Sequence, residues 1–143
     1  MPLYLADTSI WSWAGRPQRA DIKQKLAQRI AAGEVATCVP VALEVMHKPD
    51  TSEKYELQFS QMLEPLDWLP LTEAAGERAM DVQRILAARS HGGHRRSPVD
   101  LLVAAIAEQH DDVILWAFDT DYTVIAGVTG QPTEIEASTG RGH

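Results

Sequence analysis

A chain of 143 residues, 45% apolar and 23% charged, has the make-up of a globular domain with enough length for one continuous core. Its formal net charge of −7 argues against a protein that coats nucleic acid non-specifically, yet leaves room for an enzyme whose site acids count toward that total. A lone cysteine, Cys38, excludes a disulfide within the chain, and no apolar run approaches the ~18 residues of a membrane span, so a cytoplasmic protein with no membrane partner is expected.

The opening Met-Pro-Leu-Tyr-Leu-Ala-Asp lacks the basic and long apolar regions of a secretory signal. Leu3–Ala6 reads as a short buried strand, followed by turn and cap chemistry at Asp7-Thr8-Ser9 and an apolar helical turn over Ile10–Ala14. Gly15-Arg16-Pro17 breaks that turn. Arg19–Ala32 then predicts an amphipathic helix, with Ile22, Leu26 and Ile30 on one face and Gly33 as its stop. Val35–Val39 is β-branched and predicts a second strand; Pro40 suits the start of a helix that carries Glu44. His47–Ser52 reads as loop, Glu53–Leu63 as helix and Leu66–Leu69 as a third strand.

Thr72 caps a long helical stretch over Glu73–Ser90, which Gly92-Gly93 ends in a flexible hinge. Ser97-Pro98 opens a helix rich in small apolar residues, Leu101–Ala107. Val113–Ala117 is a fourth strand and Thr133–Ala137 an edge strand, before a glycine-containing tail expected to fray. Strands alternating with helices at this spacing imply a single α/β domain over 1–143, with a central parallel sheet of four to five short strands covered on both faces.

Asp7, Glu44, Asp100 and Asp119 recur at one kind of place. The first, second and fourth follow strands, and Asp100 opens the helix before the fourth strand. Each has an ordinary explanation: a helix cap at Asp7, a capping box from Ser97 to Asp100, a solvated helix face at Glu44, a turn at Asp119. In a parallel sheet, however, the carboxyl ends of the strands line one edge, so all four can converge there. Clustered carboxylates repel one another and raise each other's pKa unless a cation holds them. Convergence would therefore call for Mg²⁺, or Mn²⁺ in its place, and a phosphate-bearing substrate.

Four segments carry a family resemblance: Ala6-Asp7-Thr8-Ser9, Ala42-Leu43-Glu44-Val45, Ser97-Pro98-Val99-Asp100-Leu101-Leu102-Val103-Ala104-Ala105-Ile106-Ala107, and Asp119-Thr120-Asp121-Tyr122-Thr123-Val124-Ile125-Ala126. Their order and spacing resemble PIN-domain ribonucleases, most closely the VapC toxins of bacterial VapBC toxin–antitoxin pairs. The resemblance implies a PIN-like three-layer α/β/α fold and a Mg²⁺-dependent endoribonuclease toxin. It makes Asp7 and Asp100 direct metal ligands, completes the acidic pocket with Asp119, and has Glu44 hold metal-bound water or a second ion. Ser9 would hydrogen-bond within the site, and Asp121 is a second candidate for the fourth carboxylate. The metal would polarise a phosphoryl oxygen and acidify the attacking water, giving a 5′-phosphate and a 3′-hydroxyl. Partners implied are an RNA substrate, a VapB-type antitoxin whose C-terminal segment covers the pocket, and a second copy of the chain. Ala117, where the family often has Thr or His, and Tyr122, where Phe is common, depart from the pattern.

From Val82 to Val99 there is no acid, while Arg84, Arg89, Arg95 and Arg96 occur with His91 and His94. Arg89, Arg95 and Arg96 are candidates for a phosphate-contacting rim, set against a merely solvated face. His91 and His94 have no further His or Cys nearby to complete a zinc set and read as a mobile loop. Trp68 and Trp116 read as core, and one of Trp11 and Trp13 as surface. Cys38 reads as a small core residue. Two other functions compete. A phosphoryl-transfer domain would need an acid pair beside the first strand and a later lysine, but no lysine follows Lys54. A binding module that keeps the fold without its chemistry is the remaining alternative.

Overall fold

The computed structural model describes residues 2–138, so the expected fraying of the glycine-containing tail lies outside the described residues. Five strands, β1 (Leu3–Ala6), β2 (Val35–Thr37), β3 (Asp67–Trp68), β4 (Val113–Ala117) and β5 (Thr133–Ile135), form one parallel sheet in the order β3-β2-β1-β4-β5. Seven α-helices flank it: α1 (Thr8–Ala14), α2 (Ala20–Ala31), α3 (Val39–Val45), α4 (Ser52–Gln58), α5 (Glu73–Arg89), α6 (Pro98–Glu108) and α7 (Asp121–Thr129). A 3₁₀ turn at Pro17–Arg19 precedes α2 and a π-helical turn at Phe59–Leu63 extends α4. The three-layer α/β/α fold is the one the sequence predicts.

The strand order decides where a site lies. From β1 the chain winds outward through β2 to β3, then returns to lay β4 on the other side of β1 and winds outward again to β5. Between β1 and β4 the direction reverses. Connections leave in opposite senses there, so a crevice opens beyond the carboxyl ends of those two strands. The β1–β4 register runs from Leu3 opposite Val113 to Ala6 opposite Trp116, and Asp7 N–H extends the ladder by donating to the Trp116 carbonyl at 2.9 Å. Asp7 is thus held at the rim of the crevice by the sheet itself.

Beneath the rim Leu5, Ile10, Val41, Val103, Ile106, Leu115, Trp116 and Ile125 are buried in one core. Each large apolar side chain of this kind contributes roughly 1.5–3 kcal/mol of transfer free energy. α6 is nearly all core, with buried residues on most of its circumference, because it lies between α5, α7 and the sheet. Arg19 is buried as well: it pairs with Asp21 and donates to the carbonyl of Ala137, tying the start of α2 to the chain beyond β5.

Several boundaries differ from expectation. β2 stops at Thr37, and Val39 already belongs to α3, because Pro40 fits within a first helical turn but cannot donate to a strand ladder. β3 is two residues long and on the edge, so Trp68 is exposed, with its Nε1 donating to the Leu63 carbonyl, rather than in the core. Ile30 is exposed, leaving Ile22 and Leu26 as the buried stripe of α2. Trp116 and Cys38 are fully buried; Trp11 is buried and Trp13 partly so. α7 is an element the sequence pattern does not announce.

Candidate metal centre

Asp7 follows β1 and caps α1: its Oδ2 accepts the Ser9 N–H at 3.1 Å. The cap and the site therefore use one residue, since a carboxylate is favoured at a helix start and this helix starts in the crevice. Ser9 Oγ in turn accepts the Phe118 N–H at 3.0 Å, binding the first turn of α1 to the exit of β4. Asp119 follows that exit and folds back on its own chain, its Oδ1 accepting the Asp121 N–H at 2.8 Å. Asp100 lies in the first turn of α6, whose Ser97 cap accepts its N–H at 3.4 Å.

Three separate elements so deliver their acids to one place. Carboxylate oxygens of Asp100, Asp119 and Asp121 lie within 4.8 Å of one another. Asp7 is joined to them through Tyr122, whose buried hydroxyl is 2.7 Å from Asp7 Oδ1 and 3.1 Å from Asp100 Oδ1. Asp7 and Asp100 are both buried, at 4% and 8% exposure. Burial pushes the Asp100 carboxyl up to about 7, helped by its hydrogen bond with Asp119 and by the charges of Asp7 and Asp119, while Tyr122 opposes the rise. Burial and the same carboxylates hold the Tyr122 phenol well above its ordinary value, so it is a donor throughout the neutral range.

Glu44 stands apart from this cluster. It is exposed on α3, and its Oε1 accepts the Thr8 hydroxyl at 2.6 Å, which places it at the mouth of the crevice one residue from Asp7. Beside Thr8 and Glu44 opens a groove of about 590 Å³ with mainly apolar walls, including Val39, Leu43, Leu71, Val99 and Leu102.

The arginines fall into different situations. Arg96 reaches the cluster, donating to Asp121 Oδ1 at 2.6 Å and to the Gly93 carbonyl at 3.3 Å. Its charge is already engaged. Arg95, beside it, is exposed and has no ion-pair partner among the described residues, and exposed Arg89 donates to the Gly127 carbonyl at 3.4 Å. The glycines between them make a tight turn rather than an open hinge: Gly92 has φ +72°, and a Cβ on Gly93 would sit 2.2 Å from Ser90 Oγ. His94 Nδ1 is buried without a partner in the same turn.

The donor set suits a hard divalent cation. Carboxylate oxygens make up the group, with no imidazole or thiolate among its described residues. Burial first, and the neighbouring carboxylates after it, favour the protonated form of Asp100, and a positive charge in the cluster would oppose that. The Tyr122 hydroxyl and the Arg96–Asp121 pair have little trace in the sequence. The only signal for the first is a tyrosine three residues after Asp119; for the second there is none.

The family model of the PIN domain matches residues 4–128. Ribonuclease VapC51 of Mycobacterium tuberculosis is 37% identical over 131 residues, covering 92% of this chain and 90% of the relative. Ribonuclease VapC18 of the same organism is 30% identical over 132 residues, covering 92% and 93%. Among solved structures, DNA-bound VapBC from Salmonella typhimurium superposes with a TM-score of 0.72 at 16% identity, covering 94% of this chain and 98% of that one. FitAcB from Neisseria gonorrhoeae gives 0.68 at 21% identity, covering 92% and 96%. At such identities the structural likeness speaks for the fold.

Proposed function

Because the chain belongs to the PIN domain family, we propose that it is a Mg²⁺-dependent endoribonuclease toxin of the VapC kind, acting in the cytoplasm and neutralised by a VapB-type antitoxin. The observation that carries this reading is the meeting of Asp7, Asp100, Asp119 and Asp121 beyond the ends of β1 and β4. Asp7, Asp100 and Asp119 would hold the cation. Bound there, it would supply positive charge to the scissile phosphate and make a water acidic enough to attack.

The protein's own groups account for the rest. The Asp7 carboxylate is held by the Ser9 N–H and Tyr122 and that of Asp100 by Tyr122, with the Ser97 cap anchoring the Asp100 backbone, so their oxygens need little rearrangement to coordinate. Glu44, exposed at the mouth and bonded to Thr8, would accept a proton from water entering the crevice. Arg95 and Arg89, both exposed, would offer charge to flanking phosphates. The groove running up to Thr8 and Glu44 supports docking of an apolar antitoxin segment next to the carboxylates, and homodimerisation belongs to the same proposal. The full set of acids weighs against the alternative of a binding module without chemistry.

The test is cleavage of a structured RNA by the purified chain during a Mg²⁺ titration, with and without EDTA. Cutting that appears with Mg²⁺, stops with EDTA and disappears on adding the antitoxin is expected. Metal-independent cutting, or none at any Mg²⁺ concentration, would refute the reading.

A further inference from the structure

One buried polar group in the crevice is not accounted for by ligand roles. The ring of Tyr122 is packed with no exposure in the first turn of α7, and a phenylalanine would fill the same space. What tyrosine adds is a hydroxyl between two carboxylates that come from elements far apart in sequence, Asp7 after β1 and Asp100 in α6. Its single proton is shared between them or donated to either. Each carboxylate keeps lone pairs for another partner: Asp7 uses Oδ2 for the Ser9 N–H and Oδ1 for the phenol, and every carboxylate oxygen accepts more than one bond.

Without that hydroxyl no other side chain among the described residues bridges the Asp7 and Asp100 carboxylates directly. Like charges would turn apart, and the backbone cap at Ser9 restrains only one oxygen of Asp7. With it, α7, the end of β1 and the start of α6 are tied at one atom. We propose that Tyr122 is a positioning residue of the metal centre, whose hydroxyl sets the spacing of Asp7 and Asp100 and thereby raises the affinity of the site for a divalent cation. The inference rests on the metal-centre reading and goes beyond it, by assigning the cation's affinity in part to a residue that need not coordinate. A role in packing alone would be met by phenylalanine.

Calorimetric titration of Mn²⁺ into the purified unmodified chain and Tyr122→Phe, with thermal melts of both in EDTA, tests it. Outer-shell hydrogen-bond partners of ligands are typically worth ~10- to 100-fold in affinity. The variant is expected to melt close to the unmodified chain in EDTA but to bind Mn²⁺ at least about tenfold more weakly. Its RNA cleavage should fall at limiting Mn²⁺ and recover at saturation. Equal or tighter Mn²⁺ binding by the variant overturns the role of Tyr122 and leaves the metal centre standing. Absence of Mn²⁺ binding by the unmodified chain overturns both. Should Tyr122→Phe fail to fold, NMR of the unmodified chain with tyrosines isotope-labelled at Cζ decides. On adding Mg²⁺ the Tyr122 signal should move while those of Tyr4 and Tyr55 stay; a Tyr122 signal unmoved at saturating Mg²⁺ overturns the proposal.

Discussion

At the β5 edge, Glu134 and Glu136 face Lys25 and Arg29 of α2 at 2.6–3.0 Å, and Glu136 also accepts from Trp116 Nε1 at 2.8 Å. At the ends of β1 and β4, Asp7, Asp100, Asp119 and Asp121 face one another, and among the described residues Arg96 supplies their single ion pair. Both regions gather carboxylates on the same sheet. In the first, every acid meets a base, and the charges serve to fasten α2 to the edge strand. In the second, acids outnumber bases and one carboxyl keeps its proton up to about 7. A network in which acids and bases pair is held together by its own charges; an acidic cluster with one base has room for a cation.

The contrast breaks most sharply under Asp100→Asn. Amide for carboxylate keeps the shape of the side chain, so the fold should survive and the melting temperature in EDTA should rise, because a repelling buried acid is gone. RNA cleavage should drop by roughly a thousandfold or more, since several kcal/mol of charge stabilisation at the phosphate is lost with the cation. A variant that cleaves at the unmodified rate in a fragment-yield assay would show that the cluster is not where the chemistry happens.

Acid and alkali should act on the two regions with opposite sign. The Asp100 carboxyl is raised in the folded chain relative to the unfolded one, so the folded state binds the extra proton between about 4 and 7 and the metal-free protein loses stability as pH climbs through that window. The loss is on the order of 2–4 kcal/mol. Burial alone would raise Glu134, but Arg29 and Lys25 together hold it below its ordinary value. Its contribution is present above the unfolded carboxylate range and vanishes as pH falls through the lower, folded value. Melts in EDTA across pH should thus show a maximum on the acid side, and Mg²⁺ should restore stability mainly at the alkaline end. A flat profile with no Mg²⁺ effect would contradict the assignment of Asp100.

Much of this is legible in the sequence. Asp7, Asp100 and Asp119 could be placed because turn and cap residues mark where strands end, and parallel sheets put those ends on one edge. Ser97 and Thr72 announced their helices by the same local chemistry, and both side chains do accept the expected N–H groups. What stays hidden is set by separation along the chain. Arg96 finds Asp121 across 25 positions, and the Tyr122 phenol meets Asp7 across 115, contacts with no periodic or local signature. Trp68 was misplaced because apolar composition does not reveal that a strand is two residues long and on the edge. Glu44 was grouped with the other acids by its position after β2, whereas α3 carries it to the mouth and not the centre.

Within the fastened region, Glu136→Ala sharpens the comparison from the other side. It leaves the buried Trp116 Nε1 without an acceptor and removes one partner of Lys25. Stranding a buried donor costs about 1–3 kcal/mol. Denaturant titration should register that loss, while cleavage per folded molecule and Mn²⁺ affinity stay as they were. A change in Mn²⁺ affinity would mean that the two regions are coupled through β4.

The smallest effects separate neighbours that the sequence treats alike. Arg95 is exposed and without an ion-pair partner among the described residues, whereas Arg96 is tied to Asp121 and to the turn at Gly93. If Arg95 meets a phosphate of bound RNA, Arg95→Ala should reduce the slope of log affinity against log salt by roughly 0.7, the contribution of one contact on a single strand. Arg96→Ala should leave more of that slope in place and act on the cluster: it frees Asp121, adds an uncompensated negative charge beside Asp100 and Asp119, and draws the cation in more strongly. Since the Arg96–Asp121 pair is only partly buried, its loss should change folding stability by about 1 kcal/mol or less. Filter-binding at several salt concentrations, run with catalytically silent Asp100→Asn so that RNA survives, measures the slopes; Mn²⁺ calorimetry on Arg96→Ala, with Asp100 intact, measures the second effect. Equal slopes for both arginine variants would place Arg96 on the RNA as well, and the line drawn between an acid cluster awaiting charge and a rim offering it would have to move to include Asp121.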